Sequence, residues 1–164
     1  FEYLYNHMIN FKESYFNKLF KQKKKYKNLS INDIMIIGSL LEKEGIDYND
    51  KKKISSVIFN RLNKNMKLQI DATVLFAITN GQYNLNRKLY LKDLKYKHPY
   101  NTYINYGLPP SPISFVGTKT IDIIFEMYSS DYLFYFYNSN LQKHIFSKNY
   151  EEHKKKLNEY RNRK

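Results

Sequence analysis

The sequence predicts an α+β fold: a mostly helical single domain with a small antiparallel sheet, a hairpin, near the C-terminus. Three observations carry that expectation. Apolar residues recur at helical spacing through IMIIGSLLEKE and again through KKKISSVIFNRLNK. All four prolines fall between 99 and 112, in HPYNTYINYGLPPSPIS, which marks a long stiff loop because proline fixes φ and removes a donor. DYLFYFYNSNLQKHIFS alternates with period two around a polar centre suited to a turn.

The elements follow in order. Residues 1–29 read as a leading helix and a basic linker: Tyr5, Met8, Ile9, Phe16, Leu19 and Phe20 lie near helical spacing, and KQKKKYK follows. Ser30 or Asn32 can cap the next helix, which stops at Gly45 as a C′ residue. Asp47 to Asp50 reads as a turn, before a helix with Ile54, Val57, Ile58 and Leu62 at core spacing. A short extended stretch then leads into a helix over DATVLFAIT, capped by Asp71 or Thr73. Thr118 to Met127 fits a short helix, the hairpin turns at Asn138 to Leu141, and Asn149 with Glu152 as its box partner can cap a final helix.

The 164 residues match one domain of ordinary size and show no break in composition. Lys+Arg 28 against Asp+Glu 15 gives a net charge of +13, a field that attracts nucleic acid, anionic lipid or an acidic wall polymer without choosing among them. AT-rich coding would also produce this bias toward Lys, Asn, Ile and Tyr. The absence of cysteine excludes disulfides, thiolate metal sites and cysteine nucleophiles. His7, His98, His144 and His153 are far apart, with no His-x-x-x-His or Glu-x-x-His pair, so no metal site and no cofactor are expected. No apolar run approaches the ~20 residues of a membrane span. The chain opens at Phe1 inside a predicted helix, which leaves open an anchoring or targeting segment upstream.

LLEKEG, residues 40–45, sets two carboxylates on the end of an apolar helix. Glu44 lies three residues beyond Leu41 and four beyond Leu40, and so continues the buried face. Glu42 falls with Met35, Gly38 and Ser39 on the thinner side of the apolar arc, where a solvated carboxylate costs little. Burial and the negative end of the helix dipole should both raise the pKa of Glu44, as a general acid requires. The bland alternative is a glutamate whose methylenes pack while its head reaches water or Lys43. Asn60-Arg61, the alternation Gln69, Asp71, Thr73, and Tyr100-Asn101-Thr102-Tyr103 could complete a polar saccharide site, with Tyr100 and Tyr103 offering faces to sugar rings. Each has a structural rival: Arg61 as the partner of a carboxylate, Asp71 and Thr73 as caps, Asn101 as the holder of a turn.

LLEKEG, SSVIFNRLNKNMKLQIDATVLFAI, YNTYINYGLPPSPIS and YLFYF with HIFSKNYEEH together resemble the MltG (YceG-like) endolytic murein transglycosylases, in that family's order over about residues 30–160. The resemblance implies that Glu44, the second glutamate of the E-K-E motif, is catalytic. It implies that Asn60, Gln69, Asp71, Thr73, Tyr100, Asn101 and Thr102 position glycan or orient Glu44. The implied reaction cleaves the bond between N-acetylmuramic acid and N-acetylglucosamine to leave a 1,6-anhydro end, which helps terminate glycan elongation. Implied partners are peptidoglycan strands and penicillin-binding proteins, at the outer face of the bacterial cytoplasmic membrane, with a membrane anchor and a LysM-like domain upstream in full-length relatives.

Three departures stand out: Ala72 in place of a proline, Phe115-Val116-Gly117 in place of an Asn-Pro-Gly-like turn, and a hairpin loop without the usual glycines. They alter turns and leave the chemistry-bearing residues in place. A second reading, a basic binding module for an anionic polymer or membrane surface with a structural Glu44, requires the lysines to form one contiguous patch. The chain has no standard nucleic-acid motif, and no nucleic-acid partner is expected.

Overall fold

The structure, a computed structural model, describes residues 2, 6, 9–10, 13–17, 21 and 29–162. Its elements from residue 29 onward are α1 (Ile31–Glu44), α2 (Tyr48–Asn63), α3 (Asp71–Thr79), a 3₁₀ turn (Asp93–Lys95), α4 (Thr118–Glu126), β1 (Phe134–Asn138), β2 (Lys143–Ser147) and α5 (Tyr150–Asn162). The α+β class and the C-terminal hairpin are as the pattern predicts. Of the leading segment, the described residues are helical, and Phe16 is buried in the core beside α1 and α4 residues. Tyr5, Met8, Leu19 and Phe20 and the linker at 22–28 lie outside the described residues.

α1 is the centre of the core. Ser30 caps it reciprocally with Asp33, whose side chain accepts from the Ser30 N–H. α2, α3 and α4 all pack against it, and Ile34, Ile37, Leu40 and Leu41 are fully buried. From Ile36 to Leu41 every residue is buried, so this half of the helix is enclosed all round rather than along one stripe. The covering piece on the second side is the segment before α4. Ser39 Oγ accepts from the Ile113 N–H at 3.0 Å, Ser114 Oγ donates to the Ser39 carbonyl, and Val116 lies against Gly38.

Several boundaries differ from the expectation. Asp47 caps α2, its side chain accepting from the Asp50 N–H, so the helix starts at Tyr48 and absorbs the predicted turn. Gly45 ends α1 in extended backbone (φ −84, ψ 139), not as a left-handed C′ residue. Its glycine is required by space, since a Cβ there would lie 2.2 Å from Lys51 Cγ. The N-cap of α3 is Ile70, with no side-chain cap. Asp71 is the first helical residue, and Thr73 instead donates back to the Ile70 carbonyl at 2.6 Å. Asn149 accepts from the Glu152 N–H as a cap should, but the Glu152 carboxylate reaches Lys148 N–H, one residue upstream of the expected box contact.

The hairpin pairs Tyr135 with Phe146 and Tyr137 with His144. Alternation sends successive side chains to opposite faces. Phe134 and Phe136 contact α5 through Tyr150, His153 and Tyr160, while Tyr135 and Tyr137 meet His144. Asn138 Oδ1 accepts from the N–H groups of Asn140 and Leu141, and Gln142 supplies the left-handed residue (φ 48) where a glycine would be easier. Among the described residues no helix is long and apolar enough to cross a membrane.

The closeness of α1 to residues 113–117 is testable. A Cβ on Gly38 would lie 2.5 Å from Val116 Cγ1, so Gly38→Ala should cost about 1–3 kcal/mol by overpacking. Adding Val116→Ala should restore part of that loss in thermal unfolding. Equal stability of Gly38→Ala and the parent would contradict this packing.

Candidate active site

Glu44 is the last residue of α1 and is half-buried. Its carboxyl group meets the first turn of α3 and the middle of β1. Tyr135 Oη donates to Glu44 Oε2 at 3.0 Å, and the Ala72 N–H of α3 also donates to the carboxyl. Glu44 thus stands between the negative end of its own helix and the positive end of α3. Burial raises its pKa above the usual glutamate value, and the charge of nearby Asp71 pushes the same way. The hydrogen bonds from Tyr135 and Ala72 and the charge of His144 oppose that rise without cancelling it. Tyr135 is itself held well above 10 by burial and by Glu44, so its phenol stays a neutral donor.

Around this carboxyl the structure gathers Asp71, Tyr103 and Arg61. Tyr103 Oη donates to Asp71 Oδ1 at 2.5 Å, and burial together with that carboxylate keeps the phenol protonated. Arg61 is buried, and the sequence expectation that it pairs with a carboxylate is corrected here. Its guanidinium donates to the carbonyls of Leu133 (2.6 Å), Leu68 (2.8 Å) and Lys67 (3.1 Å), and reaches Gln69 Oε1 at 3.4 Å. It therefore ties the hairpin entry to the segment before α3 and places a positive charge near Tyr135 and Tyr103. Gln69 is exposed and occupies the left-handed region (φ 50), which costs a non-glycine residue about 1–2 kcal/mol. Its N–H donates to the Thr102 carbonyl.

The other sequence candidates are placed differently. The Asn60 amide donates to the carbonyls of Ser130 and Tyr132 and so holds the approach to β1. Asn101 is fully buried and donates to the carbonyls of Leu94 and Tyr96, while its oxygen accepts from the Tyr103 N–H. Thr73 and Thr102 are buried, share a hydroxyl contact at 2.9 Å, and Thr102 Oγ1 accepts from the Ile70 N–H. Thr73, Asn101 and Thr102 turn their polar atoms into the protein, and half-buried Asn60 does so with its amide nitrogen. Tyr100 is half-buried against Phe76 and His98, with its hydroxyl on Ser111. A cleft of about 750 Å³ opens beside Asp71 and Ala72 and runs past Phe76, Gln82, Arg87 and Ile113. The first-turn residues of α3 therefore face both Glu44 and this cleft.

Glu42 is not the solvated carboxylate that the helical face implied. Lys51 Nζ lies 2.5 Å from Glu42 Oε2, and the Gly117 N–H donates to Oε1 at 3.1 Å. Burial pushes its pKa up, but the hydrogen bonds from Lys51, Thr120 and Gly117 outweigh it and hold the group below the usual value. The thin side of α1 is thin because residues 113–117 fill it. Sequence reasoning also passed over Tyr135 and His144. The period-two pattern put Tyr135 on a strand, but only the packing of that strand on α1 sets its hydroxyl on Glu44.

The two glutamates should affect stability with opposite sign. Glu42 has a lowered folded pKa, so its contribution is present above the unfolded value of about 4.3 and is lost as pH falls through the folded pKa. Glu42→Gln should therefore lower stability at pH 7 by about 1 kcal/mol, a deficit that shrinks in acid. Glu44 has a raised folded pKa, so its ionisation destabilises the fold at pH 7 and is without effect below about 4.3. Glu44→Gln should raise the melting temperature at pH 7, and the gain should vanish at low pH. Parallel pH-dependent melting curves for the two variants would contradict the assignment.

Comparison with known proteins agrees with the motifs and the fold. The profile of the YceG-like family matches residues 2–159. A Bacillus subtilis (strain 168) protein named endolytic murein transglycosylase is 40% identical over 114 residues, 70% of this chain and 31% of the relative. A Streptococcus pneumoniae (serotype 2, strain D39) protein of the same name is 37% identical over 114 residues, 66% of this chain and 20% of the relative. The chain thus spans less than a third of the length of these relatives. The crystal structure of a yceG-like protein from Listeria monocytogenes superposes with a TM-score of 0.74 at 38% identity, over 87% of this chain and 44% of that one. With its family profile matched almost end to end and its fold shared with that structure over 87% of its length, the chain belongs to the YceG-like family.

Proposed function

We propose that this chain carries the catalytic domain of an endolytic lytic transglycosylase acting on peptidoglycan. The observation that carries the reading is Glu44: a half-buried carboxyl with a raised pKa, hydrogen-bonded by Tyr135 and by the N–H of Ala72, which with Asp71 lines an open cleft. A protonated Glu44 gives its proton to the glycosidic oxygen between N-acetylmuramic acid and N-acetylglucosamine. The resulting carboxylate then takes the proton of the muramyl C6 hydroxyl as that oxygen closes on C1, leaving a 1,6-anhydro end and returning Glu44 to its acid form. One carboxyl serves both steps because the nucleophile is intramolecular, unlike the two-carboxylate scheme of most glycosidases.

Asp71, Gln69 and Tyr100 are the sequence candidates best placed to meet substrate: Asp71 lines the cleft, exposed Gln69 precedes it in the chain, and half-buried Tyr100 packs on Phe76 of the cleft wall. Asn60, Thr73, Asn101 and Thr102 act in this reading through the frame that holds them. The names of the relatives support murein as the substrate. We also propose action on nascent strands to terminate their elongation, at the outer face of the bacterial cytoplasmic membrane in company with penicillin-binding proteins.

Mass analysis of products from uncrosslinked glycan strands tests the reaction. The expected result is 1,6-anhydromuramyl ends from the parent and no cleavage by Glu44→Gln, a loss of about a thousandfold or more. Glu42→Gln should retain cleavage at temperatures where it stays folded. Reducing muramyl ends would replace this reading with hydrolysis, with Asp71 as the group to activate water.

A further inference from the structure

One pair of buried titratable groups lies outside the chemistry above. His144 of β2 and Asp50 in the first turn of α2 are joined by a 2.8 Å contact between Nδ1 and Oδ2, with only 8% and 11% of their side chains exposed. Asp50 Oδ2 also accepts from the Ile46 N–H in the short connection that follows Glu44. Burial raises the Asp50 pKa, but the bond from His144, the Ile46 N–H and the charges of His144 and Lys53 outweigh it and keep the group a carboxylate. That acceptor requires His144 to carry its proton on Nδ1. A buried carboxylate bonded to a histidine is a costly way to join a strand to a helix, and an apolar contact would hold these elements as well.

The position of the ring suggests its use. His144 meets Tyr135 edge to face, with ring centroids 5.4 Å apart and planes at 84°, and it is flanked by Tyr137 and Phe146. Tyr135 is the residue whose hydroxyl donates to Glu44. We propose that His144, held by Asp50, is a positioning residue for Glu44: packed edge to face on Tyr135, it fixes the phenol whose hydroxyl donates to the carboxyl. The inference rests on Glu44 as the acid–base group. In the proposed reaction one carboxyl must release a proton and then recover it, so groups that favour each form have to be balanced. His144 favours the carboxylate and Asp71 the acid. The remaining charged or titratable groups acting on this cluster are Tyr135, Tyr103, Arg61 behind both tyrosines, and Lys53 beside Asp50.

Carbon-13 NMR of protein labelled at glutamate carboxyls, with Glu44 assigned by Glu44→Gln, reads this balance without any cleavage assay. In His144→Gln the Glu44 midpoint should rise by about one pH unit. Asp50→Asn, which removes the carboxylate that holds the His144 ring, should move it in the same direction. In the parent protein the Glu44 carboxyl signal should also report on the state of the His144 ring, whose own proton resonances are followed in the same samples. That last measurement needs no variant, and decides the matter if a substitution prevents folding. An unmoved Glu44 midpoint in folded variants, or a Glu44 signal blind to His144, overturns the proposal. If Glu44 shifts as expected while the parent cleaves no glycan, the proposed function fails and this coupling stands. If the parent cleaves, the alkaline fall in rate should move up in pH with the midpoint in His144→Gln.

Discussion

The enclosure of α1 on all sides over Ile36–Leu41 is the constraint around which the rest of the molecule is arranged. Of the three residues that follow this stretch only Lys43 is exposed; the two glutamates are half-buried and take partners from the protein itself. Glu42 is accommodated by pairing, with Lys51 and the Gly117 N–H supplying what water would otherwise give. Glu44 receives less: two donors, a neighbouring carboxylate, and burial that outweighs the donors. The same helix end thus produces one carboxyl whose charge is favoured and one whose charge is disfavoured relative to a free glutamate. The second condition is the one that acid–base chemistry uses, and it comes at the expense of stability.

Irregular chain surrounds this helix end, and its order depends on side-chain donors that satisfy backbone carbonyls. Arg61 serves three carbonyls on two segments, while Asn60 and Asn101 serve two each. Buried carbonyls need partners wherever no ladder provides them, and a guanidinium or amide fixed on a helix supplies several from one point. Through these carbonyl contacts the residues tie together the segments that carry Gln69, Asp71, Tyr103 and Tyr135. Residues with amide or hydroxyl groups around a carboxyl read in sequence like a ligand shell. In three dimensions, part of that shell is frame.

The helical period of α1 was enough to separate Glu44 from Glu42 and to give the direction of the Glu44 pKa, because both follow from which face of one helix is apolar. The same reading sent Glu42 to solvent, since Gly38 and Ser39 look like a weak face. They are small because Val116 and Ile113 approach them, a contact 74 residues away in sequence for Ser39 and Ile113. Ser30 and Asn149 were legible as caps because a cap acts within one turn of its own helix. Asp71 and Thr73 looked equally like caps, but the start of α3 is governed by the tie of Ile70 and Gln69 to Thr102.

Local pattern, then, sufficed for the α+β class, the hairpin, the helix that carries Glu44 and the family motifs, since each depends on residues within a few turns or one strand pair. The tertiary structure alone decided that Tyr135, Asp71 and the Ala72 N–H converge on Glu44, that Glu42 is tethered, and that Arg61 binds carbonyls rather than a carboxylate. Those contacts join segments whose relative placement is set by packing on α1, and no periodicity in a single segment encodes the distance to another.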